Sequence, residues 1–189
     1  ITLASASPRR KDLLESLGIE FEILPVDAEP EPKPGEVPAE FAERAALAKA
    51  REAASRRPES VIIAADTIVV LDYEIMGKPA DVDQAMLMLT RLVGNEQTVI
   101  TGCAVISPDA GEPETFHAST RVNMGPQSLE TLMAYASCGE PMDKAGAYAI
   151  QGVGGFLVTS IEGSYTNVVG LPLAEVLEVL ESRGVIVPR

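Results

Sequence analysis

Apolar positions along this chain fall into short unbroken runs that alternate with stretches of helical spacing, and each predicts an element. The clearest run is VIIAADTIVVL at residues 61–71, a strand interrupted by one charge, Asp66. Residues 1–4 (ITLA) predict a short strand and residues 21–26 (FEILPV) another. Between them Ser7 reads as an N-cap and Pro8 as the first helical residue, where its missing N–H costs nothing. That helix runs through Leu13, Leu14 and Leu17, and Gly18 is placed to close it. Helical spacing returns with Phe41, Ala45, Leu47 and Ala48 across 39–57, and with Ala85, Leu87, Met88 and Leu92 across 81–93 before Gly94. Residues 98–106 and 114–122 predict strands joined by a turn through Pro108, Asp109 and Gly111. Ser128 opens a short helix to Ser137. Residues 156–161 then predict a strand, 173–182 the last helix and 184–187 an edge strand.

Strand and helix alternate early and a hairpin-like pair sits in the middle, which predicts an α/β fold with a mixed, twisted sheet. A chain of 189 residues can bury a core as a single domain, residues 1–189, of one or two lobes. Residues 27–38 are too polar and too rich in proline for an element and read as a loop. No stretch approaches the roughly 20 apolar residues of a membrane span. With no basic segment ahead of an apolar one, the expectation is a cytoplasmic protein. Cys103 and Cys138 have no metal-like or redox spacing and read as buried or semi-buried thiols in a reducing compartment. The net charge of −13 argues against binding a nucleic-acid polymer, though not against a nucleotide, whose phosphates need only a few local cations.

Several residues stand where chemistry is cheap to build. Arg9 and Arg10 follow Ser7-Pro8 at a helix N-terminus, where dipole, amides and guanidinium groups suit a phosphate. The same residues also fit an ordinary capped helix with solvated arginines. Asp66 inside an apolar run would be costly to bury alone, which predicts a strand end at a cleft and a metal, lysine or water as partner; a turn between two shorter strands is the alternative. Gly77-Lys78-Pro79 lacks the Walker A spacing and reads as a turn with a cation, its glycine allowing close backbone approach. Residues 139–152 are glycine-dense and offer Lys144 and an amide, Gln151, able to read a base edge. With His117 alone, read as a solvent-facing strand residue, a histidine metal site or serine triad has little support. Aspartate and glutamate point to Mg2+ or Mn2+, with Asp66 and Glu29 as carboxylates placed near strand ends. Together these groups suit pyrophosphate hydrolysis.

Six segments in order, LASASPRR, AERAALAKA, AADTIV, GKP, DKAGAYAIQG and EGSYTNVVGLP, resemble the Maf nucleotide pyrophosphatases across almost the whole chain. The resemblance implies a fold similar to the inosine triphosphate pyrophosphatases, two lobes around a cleft, and a homodimer. It implies metal-dependent hydrolysis of a nucleoside triphosphate to monophosphate and pyrophosphate. Asp66 corresponds to the general base and a metal ligand, and Glu29 to a second acidic residue near the metal, with Asp27 its alternative. Ser5, Arg9, Arg10, Lys49, Lys78 and Lys144 correspond to phosphate and metal-site residues. Within its helix, Lys49 otherwise reads as a solvated charge. Arg10, Thr67 and Gln151 match the branch acting on dTTP and UTP or modified pyrimidine nucleotides. The sister branch, which prefers 7-methyl-GTP, has Gln where this chain has Thr67. A nucleotide-binding regulator of septum formation is the reading from a different class. Ser164, Tyr165 and Asn167 either serve the site or shape their turn. The GEPMDKAG wording resembles eukaryotic members.

Overall fold

The computed structural model describes residues 1–108 and 111–186. In chain order the elements are β1 (Thr2–Leu3), α1 (Pro8–Glu15), β2 (Glu22–Ile23), α2 (Pro38–Arg56), β3 (Ile62–Leu71) and β4 (Glu74–Met76). They continue with α3 (Val82–Leu92), β5 (Glu96–Ile106), β6 (Glu114–Met124), α4 (Leu129–Ala136), β7 (Val158–Glu162), α5 (Tyr165–Val169) and α6 (Leu173–Ser182). Strands hydrogen-bond in the order β2-β1-β3-β5-β6-β7, with β4 on β3. β1 pairs parallel with β2 and β3, whereas β3–β4 and β6–β7 are antiparallel, so the fold is the expected mixed α/β. The chain divides into two compact units. The first takes residues 1–66, 101–118 and 170 onward, the second 67–100 and 119–169.

The first unit is layered by the two-residue period of its strands. Ile62 and Ala64 of β3 face Ala46, Ala50 and Ala53 of α2, together with Ala4 and Ala104. Ile63 and Ala65 turn the other way, onto Leu14 of α1 and Val176, Val179 and Leu180 of α6. The second unit gathers Val69 and Leu71 of β3 with Leu89, Leu92, Leu132, Tyr135, Tyr148 and Leu157. The side-chain Nδ2 of Asn167, wholly buried, donates to the Val99 carbonyl (3.1 Å) and the Thr120 hydroxyl (2.9 Å) inside this unit. Ser164 accepts the Asn167 N–H at 3.2 Å, opening α5, so both residues hold the turn together.

Where expectation and structure differ, backbone hydrogen bonding gives the reason. β2 stops at Ile23, and the last bond of its ladder runs from the Leu24 N–H to the Leu3 carbonyl (3.0 Å) at the end of β1. Residues 153–157 are a 3-10 turn and β7 starts only at Val158, because Phe156 and Leu157 are wound into that turn and the Val158 N–H closes it on the Gly155 carbonyl. Among the described residues 184–186 there is no strand: Gly184 (φ +66°) closes α6, with the Val185 amide on the Leu180 carbonyl at 2.9 Å. Val187, the end of that expected strand, and Asp109 of the expected turn lie outside the described residues. Of the polar residues 162–167, Glu162 ends β7 and Tyr165–Asn167 form the start of α5. Cys103 is buried as expected, but Cys138, beyond the end of α4, is exposed.

Candidate active site

In the first unit, β1 ends at Leu3 and the chain turns through Ser5 and Ser7 into α1, beyond the carboxyl end of a parallel strand, a usual ligand position in α/β sheets. Ser7 is the N-cap and Pro8 the first helical residue. The turn is knitted by hydroxyls: Ser5 Oγ accepts the Ser7 N–H at 3.1 Å, and Ser7 Oγ accepts the Arg10 N–H at 3.5 Å. The Arg10 amide is therefore used by the cap and not left for a ligand. Its guanidinium is pinned instead, Nε donating to the Gly170 carbonyl at 2.7 Å and Nη1 to Ser5 Oγ at 3.4 Å. Burial pushes the Arg10 pKa down, and the neighbouring Asp66 carboxylate partly offsets that by attraction. A desolvated guanidinium remains charged and is a strong anion partner.

Asp66 lies within β3, not at a strand end and not in a turn, since the strand continues to Leu71. It shares the face of Ile62 and Ala64, the face that packs on α2. There it meets Lys49, whose Nζ donates to Oδ1 at 2.5 Å. The expected lysine partner is present. Both side chains are largely withdrawn from solvent, at 12% and 19% exposure, so the pair is held in a less polar setting than a surface bridge.

The reach of Lys49 follows from the packing of α2. Its buried positions are Phe41, Ala42, Ala45, Ala46, Ala50 and Ala53, mostly small side chains that let the helix lie close to the sheet. The closest approach is at Gly102 of β5, where a Cβ would overlap the Ala42 carbonyl group and the Glu43 amide nitrogen. Lys49 lies two helical turns beyond Ala42 on that same face. A lysine embedded in an alanine face was the signal available in the sequence, and residue-by-residue reading passed over it. Gly102 was missed outright. Cys103 beside it is no nucleophile, because burial pushes its thiol up to about 12.

The other expected groups are distributed less tightly. Arg9 is half-buried on α1, and Glu29 is exposed in the 27–38 loop, as is Asp27. Glu29 is six residues beyond Ile23 and so not at the strand end. That loop is tethered to α2 by the Ala28 amide on Glu52 (3.0 Å) and by Arg44, which binds Glu36 and donates to the Glu31 carbonyl at 2.9 Å. His117 is exposed on β6 and pairs with Glu43 at 2.6 Å. Among the described residues no group of three or more His, Cys, Asp or Glu is placed to hold a metal ion.

In the second unit, Thr67 begins where Asp66 ends and is half-buried, while Lys78 and Gln151 are exposed. Among the described residues no atom lies within 4 Å of where a Gly77 side chain would begin. The Gly77 carbonyl instead accepts the Gly146 N–H at 3.0 Å, tying the Lys78 turn to the Lys144 segment. Lys144 Nζ donates to the Glu140 carbonyl at 2.7 Å and to Asp143 Oδ1 at 2.5 Å, so this cation rests on its own loop.

An α/β sheet with a serine-arginine turn at a parallel strand end and a buried Asp–Lys pair defines a protein built to handle an anion next to a carboxylate. The chain belongs to the Maf family, whose model, described as Maf-like protein, matches residues 1–183. A dTTP/UTP pyrophosphatase of Nitratidesulfovibrio vulgaris is 55% identical over 98% of this chain and 89% of its own length. One from Geobacter metallireducens is 51% identical over 97% and 96%, and one from Myxococcus xanthus 48% over 100% and 94%.

Proposed function

We propose that the chain hydrolyses dTTP, UTP and modified pyrimidine nucleoside triphosphates to the monophosphate and pyrophosphate, a house-cleaning activity. The observation that carries the reading is the Asp66–Lys49 pair, a carboxylate oriented at 2.5 Å in the same unit as the Ser5–Arg10 turn. Relatives named dTTP/UTP pyrophosphatase at about half identity support it.

Asp66 accepts the proton of the attacking water, and Lys49 fixes the carboxylate for that task. Arg10, held at two points, and Ser5 bind phosphate oxygens at the turn, with Arg9 beside them. Lys78 and Lys144 add positive charge for the phosphates of the bound nucleotide. Lys144 would exchange its Asp143 contact for phosphate. Thr67 and Gln151 select the base, the amide supplying a donor and an acceptor to the imide edge of uracil or thymine. A divalent cation, Mg2+ or Mn2+, fits this donor set, because a hard ion uses one or two carboxylates and takes its remaining ligands from phosphates and water. Asp66 would hold it, with Glu29 as the second carboxylate. When bound, it supplies Lewis-acid charge and lowers the pKa of water. The reading carries with it a cytoplasmic homodimer. Among the described residues no helix is long and apolar enough to cross a membrane.

Pyrophosphate release measured with Mg2+ or Mn2+ across dTTP, UTP, CTP, GTP, ITP and 7-methyl-GTP tests it. Selective release from dTTP and UTP is the expected result. Release from 7-methyl-GTP alone, an outcome against which Thr67 counts, would keep the reaction and overturn the base assignment. Tight binding without release would favour the regulator of septum formation.

A further inference from the structure

The segment that carries Lys144 and Gln151 has almost no regular structure of its own. Two 3-10 turns (Glu140–Asp143 and Ala145–Ala147) are followed by extended residues and a third turn (Val153–Leu157). Such a segment needs bonds from outside its local backbone to keep one shape. Besides the Gly146 N–H on the Gly77 carbonyl (3.0 Å), they converge on Glu140. Its Oε1 accepts the Gly154 N–H at 2.8 Å and the Tyr135 hydroxyl at 2.9 Å, and its Oε2 accepts the Val153 N–H at 2.9 Å. Its backbone carbonyl receives Lys144 Nζ. One residue thus bonds both ends of the loop and the lysine within it.

The surroundings are shaped for this carboxylate. A Cβ at Gly152 would overlap Glu140 Oε2, and a Cβ at Gly154 would overlap the Tyr135 hydroxyl and come within 2.8 Å of the Ala149 carbonyl. Gly152 also has φ +85°. Tyr135 comes from α4 and stacks edge-on against Phe156 at 6.0 Å, so the phenol that meets the carboxylate is itself fixed. The Glu140 carboxyl lies below its usual range: burial alone would raise it, but the Gly154 and Val153 amides, the Tyr135 hydroxyl and the Lys144 charge together favour the ionised form.

We propose that Glu140 is the positioning residue of the 144–151 loop, clasping both ends so that Lys144 and Gln151 are presented to the nucleotide in one arrangement. The proposal rests on the nucleotide reading above for what those two residues contact. It has a consequence for specificity. A side-chain amide can read the edge of a base only from a defined position, so Gln151 depends on where its backbone is placed. Glu140 holds that backbone at the residues immediately following.

The test compares wild type with Glu140→Ala, Glu140→Gln and Tyr135→Phe. Without nucleotide, amide hydrogen exchange at Val153 and Gly154 is expected to rise about tenfold or more in Glu140→Ala, the loss of charged hydrogen bonds being the cause. Glu140→Gln falls between, since its NH2 would face an amide donor. With UTP, KM is expected to rise about tenfold while kcat stays within about threefold, the pattern of lost binding and not lost chemistry. The preference for UTP over CTP is expected to narrow. Unchanged exchange overturns the clasp. Faster exchange with unchanged KM and base preference overturns the positioning role and leaves a structural one. If wild type neither binds nor hydrolyses UTP, the nucleotide reading fails, and exchange still judges the clasp on its own.

Discussion

The two units place their functional residues by different means. In the first, Asp66 and Lys49 ride on a long strand and a long helix, and the contact between them is a by-product of how those elements pack. In the second, Lys144 and Gln151 ride on a glycine-rich loop whose shape depends on one carboxylate. The first arrangement is rigid because moving Lys49 means moving α2 off Gly102. The second is cheap to rearrange, since a few hydrogen bonds separate one loop shape from another. Catalysis needs the first kind of precision and recognition tolerates the second. Substitutions in the two units should therefore damage different kinetic constants.

The largest effect is expected from Asp66→Asn. An amide cannot accept the proton of water, so kcat should fall by about 10²–10⁴-fold while nucleotide affinity is largely kept. Single-turnover pyrophosphate release beside equilibrium binding separates the two quantities. Full activity in this variant would remove Asp66 from the mechanism.

Gly102→Ala tests the packing origin of the site without touching a polar group. The added methyl overlaps the α2 backbone, so the helix must shift. Overpacking of this kind costs about 1–3 kcal/mol. At about 2–4 °C per kcal/mol for a chain of this size, that is a visible loss in Tm. Because Lys49 moves with α2, kcat should fall more than KM rises. A variant with lowered Tm but unchanged kcat would show that the Lys49–Asp66 contact tolerates displacement of the helix.

The difference between the units also decided what could be read from sequence. Period and punctuation located α2, β3 and α6 to within a residue, since burial of one face imposes a regular pattern. Asp66 was conspicuous as a charge in an apolar run. Its partner was not, because reading α2 alone makes Lys49 a solvated charge, and its place among Ala42, Ala46 and Ala53 matters only once the sheet is known to lie against that face. Motif resemblance supplied it. In the second unit little was legible beyond the residue types. The 3-10 turns, α5 and the late start of β7 follow no shared period, and the loop is held by bonds such as Glu140 to Gly154. Gly152 and Gly154 carried no signal of their own in the sequence, whereas each leaves room for a particular side chain.

Gly154→Ala probes the loop unit as Gly102→Ala probes the layered one, and the expected pattern is reversed. The methyl displaces the Tyr135 hydroxyl and loosens the Glu140 clasp, so KM should rise by about three- to tenfold with kcat little changed. Tm should move less than for Gly102→Ala, since a loop can yield where a helix on a sheet cannot. Steady-state kinetics on UTP beside thermal melts of both variants give the comparison directly. A fall in kcat equal to that of Gly102→Ala would mean that the units do not divide binding from chemistry.

The smallest effect concerns pH and the loop that bears Glu29. Glu36 ties residues 31–36 to α2 through Arg44, and this partner holds its carboxyl down at about 2, against an ordinary 4.5. A depressed carboxylate contributes stability in full above its unfolded pKa and loses it as pH falls through the folded one. The contribution should thus be constant at neutral pH, decline below about 4.5 and vanish near 2. Arg44, which also lies 5.4 Å over the Phe41 ring, stays charged throughout, so the change belongs to Glu36. Glu36→Gln removes it at every pH. The Tm difference between wild type and Glu36→Gln, small because the pair is near the surface, should be flat from neutral pH down to about 5 and then close as the solution is made more acid. The absence of any gap at neutral pH would mean that the loop is held by its backbone bonds to Arg44 and Glu52, with the carboxylate incidental, and a gap that persists below pH 2 would mean that it does not come from the ionisation of Glu36.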